Sequence, residues 1–183
     1  MLKQMARRRR GHGIVAWQEE VYVFGGSDRK PLSFCEKYSD MDWHDLPNMR
    51  TARRYFNPAL HYPRIYIVGG DPCRASEVFL IPEARFQPLP LQLIEAAETC
   101  AFVADDQLVV IARTSVLRWS LKRLEGSGES QGHATLHPWS NLQPVVWQDQ
   151  VFLLLMNCGQ CIPGSALKVW SISHSSCSSL FPA

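Results

Sequence analysis

The sequence predicts an all-β protein built from repeated four-stranded units, and three observations carry that prediction. The hexamer Val21-Tyr22-Val23-Phe24-Gly25-Gly26 returns 44 residues later as Ile65-Tyr66-Ile67-Val68-Gly69-Gly70. Around each hexamer lie short apolar runs rich in β-branched and aromatic residues, with Gly, Pro, Asp and Asn clustered between them, the pattern of strands joined by tight turns. No stretch longer than about ten residues sustains the 3.6-residue apolar period of a helix. Four-stranded units recurring at such a spacing are the signature of a β-propeller.

In the first unit the strands are predicted at residues 13–17, 21–24, 33–38 and 43–46. The repeat extends beyond the hexamer. Leu2 and Met5 match Leu46 and Met49, Arg9 and Arg10 match Arg53 and Arg54, Ala16 falls opposite Leu60, and Trp43 falls opposite Phe86. A further step of 43 residues reaches the apolar run 108–111, with Ala112 and Arg113 where the glycines are expected. Another step of 43 reaches the run 151–156. Around these eroded copies, AFVADDQLVVI and PVVWQDQVFLL each read as strand, tight turn, strand, the turn polarity supplied by Asp105-Asp106 and Gln148-Asp149. Tyr38 has aromatic counterparts in Trp119 and Trp170. Residues 91–98 read as a loop, and the polar segment 125–133 as a loop insertion.

These steps divide a single repeat domain, 1–183, into units 9–50, 51–94, 95–140 and 141–183, the last two degenerate. Residues 1–8 match the tail of a unit, so the chain is expected to begin inside a propeller and to form an incomplete or open ring. An open arc leaves sheet faces uncovered, and self-association is the physical expectation.

Composition bounds the rest. The chain has 183 residues with 46% hydrophobic and 20% charged content, ordinary for a folded protein. A net charge of +2 is too small to make nucleic acid or an anionic membrane the default partner. Nothing approaches the roughly 20 apolar residues of a membrane helix. The N-terminal stretch MLKQMARRRRGHG has no apolar core of a signal peptide, and six irregularly spaced cysteines do not form a disulfide framework. A reducing, cytoplasmic location is expected.

Within the propeller class, the residues resemble the kelch repeat. The resemblance rests on the glycine pairs Gly25-Gly26 and Gly69-Gly70, on Tyr38 followed by Trp43, and on the Leu-Pro-x-Met-x-x-x-Arg stretch from Leu46 to Arg53. It is strong over residues 1–92 and weaker over 96–183. No Trp-Asp dipeptide ends a strand, so the WD40 pattern fits less well. The repeat positions Gly25, Gly26, Tyr38, Trp43, Arg53, Gly69 and Gly70 are read as builders of the fold, with Trp43 expected to pack between blades.

The resemblance implies protein recognition by loops at one end of the propeller. Carried onto this chain, the positions that follow the glycine pair are Ser27, Asp28 and Asp71, and those at the arginine opening a blade are Arg10, Arg54 and Tyr55. Arg10, Arg54 and Arg113 near one face would suit an acidic peptide. Many kelch proteins are substrate receptors of cullin-type ubiquitin ligases, recruited through a BTB or F-box domain, and others bind actin. Either role is a protein partner; neither needs a cofactor. Some kelch-like propellers are enzymes, including a copper-dependent galactose oxidase, whose metal needs Tyr and His ligands converging at the channel mouth. The six histidines, 12, 44, 61, 133, 137 and 174, show no such grouping, so no catalytic or metal-binding residue is assigned.

Two motifs invite sharper readings. Arg7 to Arg10 has the form of a nuclear-localisation or nucleic-acid patch, but its match to Arg53-Arg54 makes it the lead-in to a blade. Cys158 and Cys161 with His133 and His137 offer four zinc-type ligands, but the order and gap match no common zinc module, so free surface thiols are expected.

Overall fold

A computed structural model describes residues 3–93, 98–104, 106–112 and 116–124, together with the strand backbones of 143–147, 150–154, 168–171 and 176–179. Its strands are β1 Gly13–Trp17, β2 Glu20–Phe24, the short pair β3 Ser27–Asp28 and β4 Lys30–Pro31, β5 Cys35–Ser39, and β6 Asp42–Leu46. There follow β7 Phe56–Asn57, β8 Ala59–His61, β9 Arg64–Val68, β10 Ala75–Leu80 and β11 Arg85–Gln92. After these come β12 Thr99–Ala104, β13 Gln107–Ala112 and β14 Val116–Ser120, then β15 Gln143–Trp147, β16 Gln150–Leu154, β17 Lys168–Ser171 and β18 Ser176–Ser179.

Four four-stranded sheets result: β1-β2-β5-β6, β8-β9-β10-β11, β7-β12-β13-β14 and β15-β16-β17-β18. The architecture is that of propeller blades in series, and the described residues do not close a ring. The first two sheets repeat in register. Val15 faces Tyr22 and Ala16 faces Val21 in one, as Ala59 faces Tyr66 and Leu60 faces Ile65 in the other. β8 is shorter than β1 because Pro58 stands at the position of Ile14 and has no N–H for the ladder.

The third sheet departs from the expected unit. Three of its strands are antiparallel neighbours within 99–120, while β7 adds in parallel, Phe56 opposite Thr99 and Asn57 opposite Cys100. Tyr55 takes φ 56°, a left-handed conformation that turns the chain out of line just before β7. The second blade thereby lends its lead-in to the third. The insertion 125–133, the pair Cys158 and Cys161, and His133 and His137 lie outside the described residues.

Alternation along the strands builds a core on either side of the second blade. Toward the first blade, Tyr22, Phe24, Ile65, Ile67 and Phe79 pack with Val15, Cys35, Met49 and Phe56. Phe24 meets Phe79 and Phe86 edge-on at 5.7 and 6.1 Å, the arrangement the ring quadrupole favours, and Phe79 and Phe86 are tilted to each other at 4.9 Å. Toward the third blade, Tyr66, Val68, Val78 and Leu80 meet Ala101, Leu108, Val110, Leu117 and Trp119. Burial pushes the Cys35 thiol up to about 12 and raises that of Cys100 as well, so both are inert, protonated core residues.

Trp43 corrects one expectation. It does not sit between two described blades. It is half-buried, its ring 5.2 Å from that of Tyr38, and its indole Nε1–H donates to the Lys3 carbonyl at 3.0 Å. It lies on the face of the first blade turned away from the second, where Ile14 is 49% exposed. Phe86, its counterpart one blade on, is the residue that packs between blades.

Candidate functional site

Among the described residues, successive antiparallel strands put the tight turns at one end of the sheets and the longer connections at the other. The loop end holds residues up to 12, 25–34, 47–58 and 69–74. Loops are ordinarily the soft part of a propeller, but here backbone pairs tie them together. Arg10 and Ser27 exchange N–H···O bonds of 3.1 and 2.9 Å. Gly26 N–H donates to the Arg53 carbonyl at 2.9 Å, and Arg53 N–H to the Leu32 carbonyl at 3.1 Å. Arg54 and Asp71 exchange bonds of 2.9 and 2.8 Å. Lead-in, loop, lead-in and loop thus form one hydrogen-bonded platform.

Beneath the platform lies a device used twice. Arg53 is completely buried. Its Nη1 donates to the carbonyls of Gly69 at 2.8 Å and Ala75 at 2.7 Å, and its Nη2 pairs with Glu77 Oε1 at 2.6 Å. Glu77 also accepts from the backbone N–H groups of Arg50 at 2.8 Å and Thr51 at 3.3 Å. One blade earlier, Arg9 donates to the carbonyls of Gly25 at 3.1 Å and Phe34 at 2.8 Å and pairs with Glu36, which accepts from Ala6 N–H at 2.8 Å. Each buried charge therefore meets an opposite charge and several hydrogen bonds, the condition for burying it at all. Glu36 and Glu77 are absent from the sequence reading. The arginines repeat at 44 but the glutamates at 41, because the connection after Gly25-Gly26 is longer than that after Gly69-Gly70.

The sequence-derived positions gather on the platform. Arg10 is exposed and Ser27 buried, bonded through their backbones. Asp28 is exposed beside the hairpin tip at Arg29 and Lys30. Arg54 Nε pairs with Asp71 Oδ2 at 2.6 Å, which raises the Arg54 pKa further, and its guanidinium lies 5.2 Å from the centre of the Tyr55 ring. Arg113 lies outside the described residues. Exposed basic residues dominate this end: Arg8, Arg10, Arg29, Lys30, Arg50 and Arg74, with Asp28 the exposed acid among the described residues there. Arg7 and Arg9 hold their guanidinium groups 4.6 and 4.9 Å from the Phe34 ring centre.

His12 borders the same end, half-buried, with Nδ1 buried and unpartnered among the described residues. Burial and then the Arg9 charge hold its pKa below the usual 6.5. The unfolded chain therefore takes up this proton first. Stability from neutral His12 is present above pH 6.5 and is lost as pH falls through the folded pKa. Replacing His12 with Asn should flatten the fall in melting temperature between neutral pH and the onset of carboxylate titration, followed by circular dichroism; an unchanged slope would refute the assignment.

No three His, Cys, Asp or Glu side chains converge as metal ligands among the described residues, and no helix there is long and apolar enough to cross a membrane.

Comparison with known proteins agrees with this geometry. Residues 8–50 match the family model of the kelch motif. A 64-residue stretch, 33% of this chain, is 34% identical to Kelch-like protein 41b of Danio rerio and covers 11% of it. A 102-residue stretch, 51% of this chain, is 30% identical to a putative F-box/kelch-repeat protein of Arabidopsis thaliana and covers 41% of it. Kelch-like protein 40 of Mus musculus is 32% identical over 84 residues, 42% of this chain and 14% of that protein. The chain thus spans less than half the length of each of these relatives. A solved structure titled "Structure of YjhT" superposes on 100% of this chain and 68% of its own with a TM-score of 0.78 at 10% identity, a likeness of fold alone. Residues 8–50 thus carry a kelch motif, and the repeated hexamer and propeller sheets give the chain the fold of a partial β-propeller similar to kelch-repeat proteins.

Proposed function

We propose that this chain is a non-catalytic protein-recognition module whose binding face is the loop end of the blades. The observation that carries this reading is the platform itself. Backbone bonds hold four loop segments in one geometry, while Arg10, Asp28, Arg54 and Tyr55 remain at its surface. A face ordered in advance loses little entropy on binding, and arginine and tyrosine are the side chains that anchor interfaces.

The substrate-receptor role in a cullin-type ubiquitin ligase is the finer reading, supported by the F-box/kelch and Kelch-like proteins among the relatives. A cytoplasmic location goes with it. The open face of the first blade, with Ile14, Tyr38 and Trp43, supports self-association as a second contact.

The test is capture of a protein partner by the chain and by a variant carrying Arg54→Ala and Tyr55→Ala. The double change should weaken capture at least about tenfold, as loss of two anchor residues does, with the melting transition little changed because both side chains are only half-buried. Undiminished capture would rule out this face.

A further inference from the structure

We propose that Thr99, at the start of the third blade, is the residue that positions Arg54 and Tyr55 on the binding face; this rests on the reading of the loop end as that face. The first two blades differ at this point. In the first, Gly13 stands opposite Phe24 within one sheet. The 44-residue repeat puts Asn57 and Val68 in those places. Asn57 instead stands opposite Cys100 of the third sheet, and the pairing of β8 with β9 begins at Ala59. The strand that leads out of Tyr55 thus belongs to the neighbouring blade.

Thr99 sits at the join and is only 5% exposed. Its N–H donates to the Tyr55 carbonyl at 3.2 Å, and its hydroxyl donates to the Val68 carbonyl at 2.5 Å. One buried residue therefore fixes both the exchanged segment and the end of the strand that this segment has left. The bonds continue into the first blade, where Tyr55 N–H donates to the Gly11 carbonyl at 2.6 Å. The Tyr55 backbone is held from the first blade on one side and the third on the other, while Asp71 of the second holds Arg54.

Tyr55 needs such holding. Its φ of 56° is a conformation that a bulky residue keeps only where its surroundings impose it. The ring is fixed as well. It lies against Gly11, where a Cβ would stand 2.6 Å from the ring Cδ1, and the Arg54 guanidinium is 5.2 Å from its centre. Thr99 is itself buried beneath this surface, so it acts on a partner through Tyr55 and not by contact. A serine in its place would make the same hydroxyl bond. A valine of the same shape would leave the Val68 carbonyl, on a residue 1% exposed, without that donor.

Nuclear magnetic resonance of the full chain tests the assignment. The Arg54 Nε–H, bonded to Asp71, gives a resonance whose position follows that ion pair, and the amides of Tyr55 and Thr99 follow the segment by hydrogen exchange. Thr99→Val should speed exchange at both amides about fivefold, the loss of one net hydrogen bond, and move the Arg54 signal toward that of a free guanidinium. Thr99→Ser should leave both near those of the parent chain. A disulfide between Asn57→Cys and the native Cys100, its opposite in the register, should restore the signal and the slow exchange in the Thr99→Val chain. Binding of the partner captured by the parent chain should follow the same order: weakened by Thr99→Val, recovered by Thr99→Ser and by the cross-link. An unmoved Arg54 signal with unchanged exchange in Thr99→Val, a Thr99→Ser chain that behaves like it, or a cross-link that does not form or does not restore would overturn the proposal. If capture is lost with Arg54→Ala and Tyr55→Ala but survives Thr99→Val, the face stands and the role of Thr99 falls. If capture survives the double change while Thr99→Val still moves the Arg54 signal, Thr99 orders this pair but the face falls.

Discussion

Arg53→Met should destabilise the protein by about 3–5 kcal/mol, the usual cost of removing one partner from a buried ion pair. Two observations put this site at the upper end of what a single substitution does. The Arg53 side chain is fully buried and that of Glu77 is 3% exposed, so water cannot replace the lost partner. The change also orphans the carbonyls of Gly69 and Ala75, which the same guanidinium satisfies. Against a typical total stability of about 5–15 kcal/mol, this is a large fraction of the whole, and it falls on the junction of the first two blades.

Glu77→Gln should cost less, because an amide still accepts from Arg50 N–H, though its NH2 then meets a donor of Arg53 or of the backbone. The corresponding Arg9→Met change provides the control. Arg9 and Glu36 are equally buried, but the surface above them is a single strap, residues 3–8, and not a packed blade. Its global cost should be smaller, with loosening confined to the strap and read by hydrogen exchange at Ala6. Urea midpoints measure all three. A loss below about 1 kcal/mol for Arg53→Met would mean that solvent or rearrangement satisfies Glu77.

This pair also marks what the sequence could and could not disclose. The hexamers were legible because strand alternation and glycine placement are local: Gly25 and Gly69 take φ 56° and 65°, Gly26 and Gly70 take 96° and 90°, the same turn built twice. Arg9 and Arg53 were legible as a repeat. Their role was not, because each partner lies across a loop of different length, 27 residues away for Arg9 and 24 for Arg53. A fixed period cannot find a contact that an indel has shifted. Trp43 misled for a related reason. Its repeat position says that it faces a neighbouring blade, but not that a described neighbour is there. The bridge between Leu32 and Arg53 joins two segments with no strand pattern. Arg10, Ser27, Arg54 and Asp71 were singled out through the family resemblance, and no spacing in the chain predicts that backbone pairs would unite them.

Gly25→Ala should destabilise by about 2–5 kcal/mol, and Gly69→Ala by distinctly less, although both glycines are left-handed. The shared conformation costs each alanine about 1–2 kcal/mol. The remaining difference is in what the new methyl meets. At Gly25 a Cβ would stand 2.5 Å from the Arg53 carbonyl oxygen and 3.0 Å from that of Leu32, both backbone atoms already engaged in the platform. Relief requires the Arg53 lead-in to move, at roughly the 1–3 kcal/mol that overpacking commonly costs. At Gly69 the nearest atoms are side-chain methyl groups, the Leu93 Cδ1, which a rotamer change can withdraw, and the Thr99 Cγ2, which can give only by small shifts because the Thr99 hydroxyl donates to the Val68 carbonyl. Comparing the two variants therefore cancels backbone strain and isolates the clash with the platform. Because Arg53 adjoins Arg54, the shift forced by Gly25→Ala should also reduce partner binding at temperatures where the variant remains folded, whereas Gly69→Ala should leave binding nearer to normal. Chemical denaturation together with binding below the melting transition tests both parts. Gly69→Ala proving as costly as Gly25→Ala, or Gly25→Ala binding like the parent chain, would show that the loop platform yields and is not the rigid frame described.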